Sequence, residues 1–240
     1  MNSRINHEML KTNQAFWRNP IIVIFSSVLL FFATQIISSS ILFSLSNYIV
    51  GDTARLLIFI AINIFVLFGL LSTAKKITGF SWQSLGLRRA SVKSMLIVIP
   101  AFVIYLAASL SLTVVAQLLI SGFDINQTQN IGFSRSGGSI ELIAAFIGLV
   151  VLTPIFEELI FRGVLFQGLR RRLPFWWSAI ITSVIFAVAH GQWNVAVDTF
   201  ALSFILCFLV ERSNSILPAI FLHALKNSLA FTLLFIVKVG

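Results

Sequence analysis

Seven apolar runs, at roughly 21–45, 56–74, 95–120, 142–169, 174–190, 194–210 and 215–237, divide the chain. A helix needs about 20 apolar residues to cross the hydrocarbon core of a bilayer. Open sheets and irregular chain cannot face lipid, because their backbone N–H and C=O groups would go unpaired. The runs therefore predict an all-α, polytopic transmembrane helix bundle of about seven spans, or eight if the long first or fourth run divides. Composition agrees. Of the 240 residues 58% are hydrophobic and 10% charged, where a soluble domain carries about 25% charged residues.

The net charge of +9 sits between the runs rather than in a patch, which excludes a nucleic-acid partner and points to membrane orientation. With the N-terminus inside, the cytoplasmic segments hold Arg4, Lys11, Arg18, Lys75, Lys76, Arg88, Arg89, Lys93, Arg170, Arg171, Arg172 and Arg212. The outer side holds only Arg55, Arg135 and Lys238, while Arg162 and Lys226 lie within spans. This asymmetry predicts a multi-pass protein of the cell membrane with a cytoplasmic N-terminus. The first twenty residues lack a compact apolar core with a cleavage site, so the first run is expected to remain as an anchor. The expected organisation is a cytoplasmic tail at 1–20, N-terminal transmembrane helices at 21–120 and a second membrane core at 121–240, which holds the embedded polar residues described next. The polar segment from Ser121 to Ile140 is the longest outer connection and reads as a solvated linker, with a flexible lid as the alternative. Cys207, the single cysteine, lies inside an apolar run and reads as a packing residue.

Against this apolar background the stretch TPIFEELIFRGV, Thr153 to Val164, puts Glu157, Glu158 and Arg162 inside a span. A charge at the bilayer centre costs at least ~2.5–3.5 kcal/mol on insertion scales. Glu158 and Arg162 are four residues apart, acid before base, which is the favoured order for a helical ion pair. They read as a self-neutralising structural pair. Glu157, turned by about 100°, has no local cation and is left to face the bundle interior.

Two of the three histidines are also embedded. Counted from the inner ends of their spans, Glu157 lies about 20 Å deep and His190 about 21 Å. His223 and Asn227 lie about 12 and 18 Å deep on the last span, four residues apart and projecting together. Four polar groups from three helices thus fall in one slab of the membrane. A carboxylate, two imidazoles and an amide suffice to activate water and to stabilise an oxyanion.

Three motifs carry a resemblance. Glu157-Glu158-Leu-Ile-Phe-Arg162 (EExxxR), Phe186-Ala-Val-Ala-His190 (FxxxH) and His223-Ala-Leu-Lys-Asn227 (HxxxN) occur in order on successive apolar segments. In these the chain resembles the CAAX prenyl protease type II and bacteriocin-processing (CPBP, or Abi) family of intramembrane endopeptidases. The resemblance covers about Glu141 to Val237, and FSWQSLGLRR before the third span is similar to the family as well. It implies that Glu157 and His190 activate a water that attacks a peptide carbonyl, and that His223 and Asn227 stabilise the oxyanion. Glu158 and Arg162 would support the motif's shape. The family is often labelled metalloprotease. A zinc ion would have to draw on Glu157, His190 and His223, and a glutamate-only mechanism without a tightly bound metal is the preferred reading.

The chain departs from the family between His190 and His223, where Ser203 and Cys207 stand in place of small glycines. Asp198, a third embedded acid about 20 Å from Glu211, is expected to cap or line the outer end of its helix, with a place facing the same cavity as the alternative. Other intramembrane protease chemistries are excluded: there is no HExxH, no GxGD and no GxSG within a span. The expected partners are membrane lipid and a peptide or membrane-protein substrate. The alternative from another class is a non-proteolytic membrane regulator or bacteriocin-immunity protein on the same fold, with a regulatory membrane partner. An ion-coupled transporter is disfavoured by the absence of internal repeats.

Overall fold

The computed structural model describes residues 19–45, 52–78, 81–125, 127 and 138–237. The expected N-terminal tail and most of the Ser121–Ile140 linker lie outside these described residues. Among the described residues there is no strand, and seven helical rods account for the apolar runs. They are α1 (Pro20–Leu45), α2 (Asp52–Thr78), α3 (Val92–Leu119), α4 (Ser139–Arg170), α5 (Phe175–Val188), α6 (Trp193–Ser213) and α7 (Leu217–Val237).

Five of the seven, α1, α3, α4, α6 and α7, are long and apolar enough to cross a membrane. The apolar part of α2 is shorter, Leu57–Thr73, and α5 has only 14 residues. At 1.5 Å per residue α5 is about 21 Å long, less than the ~30 Å hydrocarbon core. It starts after Pro174, whose fixed φ suits a helix entrance, and presents Trp176 and Trp177 outward at that end.

The bundle is organised around α4. The eight consecutive residues Leu159–Phe166 are all buried, so this stretch is covered on every side. Helices α1, α5 and α6 pack against it, and α7 packs against its preceding turns. The most extensive pairing joins α5 to α6. Aromatic rings fill the space where helices approach: Phe161 meets Phe186 edge-on at 4.8 Å, and Phe31 of α1 reaches Phe161 at 5.4 Å. Cys207 is fully buried, in keeping with a packing role.

The rod of α4 is not a uniform α-helix. It opens into wide π turns at Ile147–Leu152 and Leu159–Phe166, on either side of Thr153–Glu158. Pro154 explains the first. Proline has no N–H to donate and its ring crowds the preceding turn, so the backbone widens there. Thr153 N–H accordingly bonds to the carbonyl of Gly148, five residues back.

A short segment before α3 docks onto the end of the bundle where α6 meets α7. The 3₁₀ turn Trp82–Leu85 is capped by Ser81 and ends at Gly86 with φ of 79°, a left-handed conformation that favours glycine. Gly86 C=O accepts from Ile216 N–H at 2.9 Å, and Ser215 Oγ donates to Arg88 C=O at 2.6 Å. Gly163 lets this segment close on α4, because a Cβ there would lie 3.1 Å from Leu85 O. Nearby, Arg170 grips Glu211 through two hydrogen bonds of 2.9 and 2.6 Å and donates a third to Leu173 C=O, joining the ends of α4 and α6.

Candidate active site

The motif of α4 places two adjacent carboxylates in different surroundings. Glu158 and Arg162 are fully buried, and Arg162 Nη1 donates to Glu158 Oε1 at 2.8 Å. The local pair expected from spacing forms, but it is not self-contained. The same Glu158 Oε1 accepts from His223 Nδ1 of α7 at 2.9 Å. The ring of His223 then turns its other nitrogen, Nε2, to within 3.7 Å of Glu157 Oε2. One imidazole thus stands between two carboxylates, bonded to one and facing the other.

Phe186 of α5 supplies the floor. The Arg162 guanidinium lies over its ring at 4.5 Å, a cation–π contact in a dry setting. The rings of His190 and His223 set edges against the same Phe186 at 4.9 and 6.0 Å. His190 Nδ1 donates to the Phe186 carbonyl at 2.8 Å, which leaves Nε2 as the bare, proton-accepting nitrogen. Among the described residues His190 has no hydrogen bond or ion pair with Glu157. Phe186 is the neighbour that His190 and His223 share.

Asn227 has a partner that spacing could not foretell. Its Nδ2 donates to Leu149 C=O at 2.8 Å. In the wide register of Ile147–Leu152 that carbonyl would be matched with the N–H of residue 154, which is a proline. The side-chain amide replaces the missing backbone donor and keeps a second N–H. Glu157 Oε2 has no hydrogen-bond partner among the described residues, nor do Glu158 Oε2 and Arg162 Nε and Nη2.

Among the described residues no three His, Cys, Asp or Glu side chains converge as a metal shell, while His223, held at Nδ1 by Glu158, keeps Nε2 toward Glu157.

Asp198 lies near the start of α6, whose end it lines rather than caps. Its Oδ1 accepts from Tyr105 Oη and Ser109 Oγ of α3, each at 2.6 Å, and its Oδ2 lies 3.2 Å from Lys226 Nζ of α7. The sequence did carry a signal for this pairing: Asp198 and Lys226 are opposite charges within spans, each without a partner on its own helix.

These features define a multi-pass helical membrane protein with an acid–imidazole cluster inside its bundle. Residues 139–229 match the family model described as "Type II CAAX prenyl endopeptidase Rce1-like", and in this segment the chain is similar to that family of membrane proteases. It is similar to the "Putative membrane peptidase YdiL" of Bacillus subtilis (strain 168), with 33% identity over 78 residues. It is also similar to an "Uncharacterized 24.3 kDa protein" of Escherichia coli, with 30% identity over 88 residues. The alignments cover 32% and 35% of this chain and 32% and 41% of those relatives. No solved structure matches the chain.

Proposed function

We propose that the chain is an intramembrane endopeptidase that hydrolyses a peptide bond of a peptide or membrane-protein substrate. The observation that carries this reading is His223, held at Nδ1 by Glu158 and facing Glu157 with Nε2. A buried ion pair of Glu158 and Arg162 alone would only hold a helix in shape. An imidazole oriented by one acid and turned toward a second, unpartnered acid is an arrangement for handling protons.

In the proposed reaction Glu157 and His190 Nε2 bind a water and take its proton. The water oxygen forms a bond to the substrate's carbonyl carbon, and the carbonyl oxygen becomes an oxyanion. His223, through Nε2–H when the ring carries both protons, and the second N–H of Asn227 donate to that oxyanion. The C–N bond then breaks, and the proton taken from water passes to the leaving amine. Glu158 and Arg162 position His223 and touch no reacting atom. The bacterial relatives and the basic inner segments support a place in the cell membrane with the N-terminus cytoplasmic.

The test is cleavage of prenylated CAAX peptides, leader-type peptides and single-span membrane peptides by purified protein in proteoliposomes, read by mass spectrometry. New peptide termini with wild type and none with Glu157→Gln are expected. Equal cleavage by Glu157→Gln would remove Glu157 from the chemistry.

A further inference from the structure

A second polar cluster lies beside the candidate catalytic residues and has no part in the steps above. Asp198 is held by Tyr105 and Ser109 of α3 and faces Lys226 of α7. An embedded ion pair that only locked helices together would be sealed, as Glu158 and Arg162 are. This one is open: the Lys226 and Asp198 side chains are 20% and 26% exposed.

They border a cavity of about 410 Å³ between α3, α6 and α7. Leu106, Leu110, Ile125 and Val195 form its apolar wall, and Asn194 adds an amide. Lipid tails cannot satisfy a half-open ion pair, so within a span such a pair faces water or a polar ligand. The cavity also borders the proposed chemistry, since Lys226 follows His223 by three residues and precedes Asn227 by one.

Resting on the endopeptidase reading, we propose that this cavity is the subsite that receives the unwound, extended segment of substrate next to the scissile bond. Water cannot reach a peptide bond inside an intact helix. Each residue unwound in the membrane frees an N–H and a C=O that lipid cannot pair. The Asp198–Lys226 edge offers matching groups side by side. A lysine ammonium has three hydrogens, of which one serves Asp198, and the others can meet substrate carbonyls. Asp198 Oδ2 can accept a substrate N–H while Tyr105 and Ser109 hold its other oxygen. The volume lies in the range of about 300–1,000 Å³ found for ligand sites. Its walls select apolar substrate side chains.

Two measurements on the full chain in proteoliposomes test this. The first places the photo-crosslinker p-benzoylphenylalanine at position 125, an exposed residue of the cavity lining, in a Glu157→Gln background. It is irradiated with a biotinylated Leu/Ala-rich peptide of roughly 20 residues carrying a central Gly-Pro pair, long enough to span. A crosslink that unlabelled peptide competes away is expected. The second measures cleavage kinetics of the same peptide by Leu110→Trp and Lys226→Met. Leu110→Trp fills the cavity from its apolar wall without touching the ion pair, so it stays informative if Lys226→Met fails to fold. A rise in KM of roughly tenfold or more, with kcat little changed and an unaltered melting temperature for Leu110→Trp, is expected for loss of binding. Unchanged KM in Leu110→Trp, or no competed crosslink with a peptide that wild type cleaves, would overturn the subsite and leave the cluster a helix clamp. A competed crosslink with no cleavage by wild type would leave the cavity a peptide-binding site and remove the endopeptidase reading together with the subsite's place beside a scissile bond.

Discussion

Glu158 Oε1 and His223 Nδ1 lie 2.9 Å apart across 65 residues of sequence, at a point where Glu158 already holds Arg162. A single buried carboxylate oxygen thus fixes a cation on its own helix and an imidazole on the last one. Substituting Glu158→Gln would leave the Arg162 charge buried and unpaired, a loss of about 3–5 kcal/mol by analogy with soluble buried pairs. Melting in detergent should therefore fall sharply for Glu158→Gln and Arg162→Leu. Glu157→Gln should melt like wild type, because its acid has no partner at hydrogen-bond distance among the described residues. Equal melting of Glu158→Gln and wild type would show that the pair is not structural.

The bond from Asn227 to Leu149 C=O makes a separate prediction. Asn227→Ala orphans a buried carbonyl, at about 1–3 kcal/mol. Pro154→Ala restores the backbone N–H that the wide turn lacks and lets Leu149 bond within the helix. The double variant Pro154→Ala/Asn227→Ala should regain part of the melting temperature lost by Asn227→Ala, without regaining activity. Additive losses in the double variant would show that Pro154 is not the reason for the bond.

What the sequence made legible was what is local. Apolar run length located all seven helices, and a four-residue spacing located the Glu158–Arg162 pair, because both depend on neighbours along one helix. The third partner, His223, was beyond that logic: spacing tells which face of a helix a residue occupies, never which helix it meets. The same limit hid the partners of Asp198, which sit on α3 and α7 while its place near the end of α6 was legible from depth. The wide turns flanking Thr153–Glu158 were unreadable as well, since Pro154 announces a perturbed helix but not the register it adopts. The tail and most of the outer linker, on which two readings rested, lie outside the described residues.

Gly86 tests how the segment before α3 is held. A Cβ there would sit in left-handed backbone and meet Ile216 Cγ2 at 2.9 Å. Gly86→Ala should cost roughly 1–2 kcal/mol from the conformation alone, with more from the displaced contact. The cost should appear as lower melting temperature with the same kcat in surviving protein. An unchanged melting temperature would mean that this docking contributes little.

Orientation is testable without any substrate. The basic segments predict residue 89 inside and residue 130 outside. In a Cys207→Ser background, an impermeant thiol reagent added to intact cells should label Asn130→Cys and spare Arg89→Cys until the membrane is opened. Labelling of Arg89→Cys from outside would invert the topology and with it the side from which substrate approaches.

The last prediction separates base, positioning and oxyanion roles by rate. Loss of a general base costs on the order of 10²–10⁴-fold, so Glu157→Gln and His190→Ala should each lower kcat by that order. Loss of an oxyanion donor costs about 10²–10³-fold, the expectation for Asn227→Ala once its stability loss is allowed for by assaying well below its melting temperature. Among the described residues His190 bonds only to the Phe186 carbonyl and sets its edge against that ring, so His190→Ala should stay folded and its loss should be one of chemistry. His190→Gln keeps a donor toward that carbonyl but has no basic nitrogen, and it should be as inactive as His190→Ala. If His190→Gln instead recovered wild-type kcat, His190 would be a positioning residue, and Glu157 alone would have to take the proton from water.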